Sequence, residues 1–212
     1  MNISILRLLL IIIALIGCAF AWTSAAPAAL TLNAYDLAEW TSLHPAVRGG
    51  SPPLLTTGLL RLPLLCLIGL LAWNAPPRGI SRSIVLILAA LISVGMLPPL
   101  EILTDFTNAN YRQQLLWSLL GLTITSAAFS RIGTTIYPLL SLAASLLMLI
   151  CSIVGIQQAL DLIRGFAINA NLGLGVWITS FSVGVFIVVQ VAGLTFARRH
   201  NEDLRTVQAQ TR

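Results

Sequence analysis

The sequence predicts an all-α fold, a polytopic membrane helical bundle forming a single domain over residues 1–197. Three observations lead there. Of 212 residues, 57% are hydrophobic and only 9% are charged, whereas soluble domains carry about 25% charged residues. With a mean hydropathy of +0.91, the chain has too little charge to clothe a soluble globule, and a bilayer is the solvent that suits it. Six stretches qualify as spanning helices, which need about 20 mostly apolar residues, and the charges gather between them.

The first predicted span covers residues 6–26. It has a rival reading as a cleaved leader. Arg7 closes a short basic segment and residues 8–16 are apolar. Leu15-Ile16-Gly17-Cys18 resembles a lipoprotein cleavage box with Cys18 as the acylated residue, and small residues at 19–21 and 24–26 resemble signal-peptidase sites. The apolar run continuing through Trp22 to Leu32 favours a retained helix.

The stretch 33–48 follows, and it is the first place to look for any ligand or partner met outside the membrane. Asn33 can cap a helix over 34–43, with Asp36 in its first turn favourable to the dipole, and Pro45 stops it. Leu37, Trp40 and His44 share one face, in line with Leu30 and Ala34. Asp36, Glu39 and Leu43 share another. The pattern is that of an interfacial helix with its aromatic side turned to membrane or bundle.

Pro52-Pro53 and Pro76-Pro77 bracket the second span, 54–73. Arg61 is its one charge, roughly 10 Å below the boundary at about 1.5 Å per residue. An arginine at the bilayer centre costs about 2.5–3.5 kcal/mol. Arg61 therefore either snorkels to the headgroups, pairs with Asp36, Glu39, Glu101 or Asp105 and so locks the outer loop, or binds an anionic ligand. The third span, 84–103, contains Pro98-Pro99. Either the helix kinks and continues, or it stops and a short interfacial segment, 100–106, follows. In a continued helix Glu101 and Asp105 stack on one face, as a solvated acidic rim or a cation or proton site.

The remaining spans are 113–129, 138–160 and 172–197, with a polar cytoplasmic tail at 198–212. Small residues four apart, Ser141/Ser145 and Ser180/Gly184, predict close helix packing and offer faces for a larger membrane complex or a homo-oligomer. Gln190 predicts a hydrogen bond between helices. All 12 basic residues are arginines. Arg7, Arg78, Arg82, Arg131, Arg198, Arg199, Arg205 and Arg212 fall on one side of the six-span arrangement; Arg48, Arg112 and Arg164 fall on the other. The bias puts both termini in the cytoplasm of a bacterial cell, across the plasma (inner) membrane from residues 27–53.

Cys18, Cys66 and Cys151 are odd in number and each lies in an apolar run, which argues against a disulfide framework or a zinc site. Asp36 and Glu39, three apart, could share a cation, but Glu39 and His44 are badly spaced for one metal. No His-x-x-x-His, Glu-x-x-His or Asp-x-x-Asp pair occurs, and no serine has a positioned base in evidence. No catalytic residue, cofactor or metal is assigned. Membrane lipids are the expected partners, and no dense basic patch suits nucleic acid. The preferred function is a non-catalytic accessory or assembly subunit. The alternatives are a small six-helix transporter or channel, and a membrane enzyme on lipid or isoprenoid using Asp36, Glu39, His44 and Arg61.

Overall fold

The computed structural model describes residues 3–25, 30–131 and 134–210, with side chains for all of these but Leu30 and 196–210. Among the described residues run α1 (Ile3–Ala19), α2 (Ala34–Leu43), α3 (Pro45–Arg48), α4 (Leu55–Trp73), α5 (Ile80–Gly95), α6 (Ala109–Phe129), α7 (Tyr137–Arg164) and α8 (Leu174–Gln210). Three short strands, β1 (Thr23–Ala25), β2 (Leu30–Leu32) and β3 (Asn171–Leu172), form an antiparallel sheet in the order β2-β1-β3. Thr23 pairs with Leu32 on one side and Leu172 on the other.

Three helices are long and apolar enough to cross a membrane: Leu55–Trp73, Thr134–Arg164 and Leu174–Thr195. The other three predicted spans depart from expectation for identifiable reasons. The first helix ends at Ala19 because the chain turns into β1; the expected end at Ala26 lies outside the described residues. The third begins at Ile80 and stops at Gly95. Beyond Pro98-Pro99, which lack backbone donors, Leu100–Leu103 forms a separate 3-10 turn, so Glu101 and Asp105 do not stack on a continued helix. α6 has the length, 21 residues, but buries Asn110, Gln114, Ser118 and Thr125, and this inward polar stripe lowers its hydropathy.

α4 is the central helix and packs against α1, α2, α5, α6 and α7. Its Leu60, Leu64, Leu67 and Leu71 are buried in the core. The outer surface is apolar: α5 exposes Ile80, Ile84, Ile87 and Leu91, while Val85, Ala89 and Ser93 face inward. Ser118, Ser141, Ser145, Ser152 and Ser182 are buried between helices. Serines buried between helices beneath an outer surface of large apolar side chains suit a lipid solvent.

α1 and α8 pair antiparallel and very closely. A Cβ on Gly175 would lie 2.5 Å from the Gly17 carbonyl oxygen, and one on Gly17 would strike Thr179. At the other end of the pair, Gly193 lies against the Arg7 guanidinium. Trp22 is wholly buried and donates from Nε1 to the Gly17 carbonyl at 3.2 Å. Of the two small-residue pairs, Ser141 and Ser145 are buried, whereas a Cβ on Gly184 would meet nothing within 4 Å. Gln190 does bridge helices, donating to the Pro138 carbonyl at 2.8 Å. α8 stays helical through the polar change after Ala197 as far as Gln210.

Candidate functional site

The site is assembled by α2. Asn33 Oδ1 accepts from the backbone N–H groups of Tyr35 and Asp36, both at 2.9 Å, and so starts the helix. His44 ends it, its N–H donating to the Thr41 carbonyl at 3.1 Å, and Pro45 opens α3. Ala34, Leu37 and Ala38 are wholly buried. Thr41 and Thr57 share a hydrogen bond at 3.1 Å, so α2 is docked on α4. That docking sets Glu39 over Arg61.

Arg61 is 1% exposed and does not reach outward. Its Nη2 donates to Glu39 Oε1 at 2.7 Å and to Asn110 Oδ1 at 2.7 Å. Its Nη1 donates to Gln113 Oε1 at 2.9 Å. Glu39 Oε1 accepts a further bond from Gln114 Nε2 at 2.8 Å, while Gln113 Nε2 donates to the Leu54 carbonyl at 3.2 Å. Leu54 itself has φ 57°, a left-handed conformation unusual for leucine, and its N–H donates to the Val47 carbonyl at 2.9 Å. The planar fork of arginine suits this arrangement, because one guanidinium serves three acceptors from two helices. Arg61 Nε and Gln114 Oε1 are buried without partners.

The other predicted residues lie apart from this network. Trp40, His44 and Phe166 form an aromatic cluster with ring centroids 5.4–6.2 Å apart, and His44 Nδ1 accepts from the Ala46 N–H at 3.2 Å. Asp36 is exposed in the first turn of α2. Asp105 accepts from Thr107 Oγ1 at 2.9 Å and Asn108 Nδ2 at 3.2 Å, and Glu101 is exposed in the 3-10 turn. Of the four carboxylates open to Arg61, the fold selects Glu39. Tyr35, beside this network, has its hydroxyl pKa raised by burial first and by the Glu39 charge second. Cys18 lies buried in the α1–α8 contact, its sulfur 3.9 Å from Thr179 Oγ1.

Asn110, Gln113 and Gln114 escape a reading of the sequence, because amides at the head of a span look like ordinary interfacial polarity. The available signal was their spacing, three and four apart, which places them on one helical face. Asn108 fixes that face by capping α6, its Oδ1 accepting from the Asn110 N–H at 3.0 Å. Among the described residues no group of three His, Cys, Asp or Glu is placed to hold a metal ion. With both charges bonded across helices, the arrangement acts as a clamp.

Fold and site define an apolar α-helical bundle with three helices able to cross a membrane and a buried ion pair fastening one end. The chain matches no protein-family model, no curated protein and no solved structure.

Proposed function

We propose that the chain is a multi-pass protein of a bacterial plasma (inner) membrane and serves, without catalysis, as an accessory or assembly subunit of a larger complex. The observation that carries this reading is the commitment of Arg61 and Glu39 to bonds among α2, α4 and α6. A catalytic pair needs reach to a substrate; here the acid serves Arg61, and His44 serves Trp40, Phe166 and its own turn. Gentle detergent extraction tests the reading. The protein should copurify with larger membrane partners, and recovery of free monomer alone would overturn the proposal.

The same reading has six membrane crossings. α1 and α5, with 17 and 16 residues, measure about 25 Å at 1.5 Å per residue. Local bilayer thinning can meet such a mismatch. α6 turns Leu116, Leu119 and Leu120 outward, which suits lipid. The antiparallel α1–α8 pair supports termini on one side, and the arginine bias supports the cytoplasmic side, with α2 extracytoplasmic. In intact cells a membrane-impermeant maleimide should label Asp36→Cys, and should label Arg78→Cys only after permeabilisation. The reverse pattern would refute the orientation, and labelling of both in intact cells would refute a barrier between them.

A further inference from the structure

At the end of the bundle away from α2 lies a cavity of about 430 Å³ lined by Arg7, Arg82, Arg131, Trp73, Tyr137 and Gln190, among others. Its three arginines come from α1, from the first turn of α5 and from the residue group just after α6. No carboxylate lines it among the described residues. The nearest acids along α8, Glu202 and Asp203, follow Gln190 by twelve and thirteen residues, about 18 Å or more along a helix. Three arginines around one cavity with no carboxylate among the described lining residues repel one another, and an anionic oxygen relieves that repulsion.

The cavity is built, not incidental. Arg82 donates to the carbonyls of Pro76 at 3.2 Å and Ala128 at 2.6 Å, and Arg131 donates to the Pro77 carbonyl. Backbone thus holds both guanidiniums at the rim, with donors to spare. Arg7 differs: its Nε is buried with no partner. Gln190 is wholly buried, spends its Nε2 on Pro138 and leaves its Oε1 unpartnered. An occupant that satisfies both offers an anionic oxygen to the arginine and a hydrogen-bond donor, such as a hydroxyl, to the glutamine. A second cavity, of about 650 Å³, shares Arg7, Trp73 and Asn74 and runs on over Ile5 and Leu8 of α1. The Trp73 and Tyr137 rings, 6.4 Å apart, stand where amphipathic aromatics meet headgroups.

We propose that this arginine-lined chamber binds the phosphate of a hydroxylated anionic headgroup. The site is independent of the α2 clamp and of the accessory role. The test uses the full chain in uncharged detergent micelles, titrated with phosphatidylglycerol, phosphatidylcholine or inorganic phosphate, with thermal unfolding as the readout. Phosphatidylglycerol at about a hundred times its Kd should raise Tm by about 5–10 °C, and phosphatidylcholine should not. Arg7→Leu should abolish the shift while leaving the lipid-free Tm equal or higher, since it removes an uncompensated charge. If inorganic phosphate alone shifts the wild type as far and Arg7→Leu abolishes that too, the chamber recognises the anion whatever its source. Native mass spectrometry of the wild type gives a reading free of any variant: phosphatidylglycerol adducts should persist at activation energies that strip phosphatidylcholine. Equal retention of the two lipids, no Tm shift with any anion, or an undiminished shift in Arg7→Leu would overturn the site.

Discussion

Arg61 shows what a charge needs in order to sit inside a bundle. Desolvating a guanidinium costs several kcal/mol unless good acceptors replace the lost water, and Arg61 finds three, on Glu39, Asn110 and Gln113. Removing one member of a buried pair costs about 3–5 kcal/mol; Glu39, at 31% exposure, places this pair toward the lower end. Arg61→Ala is therefore expected to lower Tm by about 6–12 °C and to speed proteolysis within residues 33–48. Arg61→Met combined with Glu39→Leu should lose less than the two single changes summed, because neither leaves a charge stranded. Strictly additive losses with unchanged proteolysis would mean that Leu37 and Trp40 hold α2 unaided.

At the scale of elements, what the sequence shows depends on how local its cause is. α2 is legible from Asn33, Asp36 and Pro45, because cap, dipole and stop all act within one short helix. Its partner is not: Glu39 and Arg61 are 22 residues apart, and only the docking of Leu37 and Thr41 on α4 decides among four carboxylates. Pro98-Pro99 fits both a kink and a stop, and the sequence after it, Leu100 to Phe106, does not choose. The early end of α1 is hidden for a similar reason, since Thr23 pairs with Leu172 far along the chain. The α1–α8 crossing is likewise non-local, and Gly175 is its critical residue. A methyl there would press on the Gly17 and Phe20 carbonyl oxygens at 2.5 and 2.6 Å, and backbone cannot step aside as a side chain can. Gly175→Ala should cost about 1–3 kcal/mol by overpacking, read as a fall in Tm, while Gly184→Ala, facing open space, should be silent. Equal effects from the two substitutions would argue against this crossing.

Over the whole molecule, the two ends of the bundle are chemically different. One is fastened by a paired charge under α2, and the other gathers three arginines around a chamber that no carboxylate lines among the described residues. Between them large apolar side chains cover the outer surface, while the interior joins a leucine-rich core around α4 to buried serines and a few polar bonds between helices. The pairing of α1 with α8, stapled by β1 against β3, has a consequence for how the protein comes into being. A chain is made from its N-terminus onward, yet the surface of α1 around Ala14, Gly17 and Cys18 finds its principal mate only when the segment from Leu174 to Gln190 has been synthesised. α1 is therefore completed late, after the helices that follow it in sequence. Until α8 has formed, its small-residue seam around Ala14, Gly17 and Cys18 stands open to other surfaces.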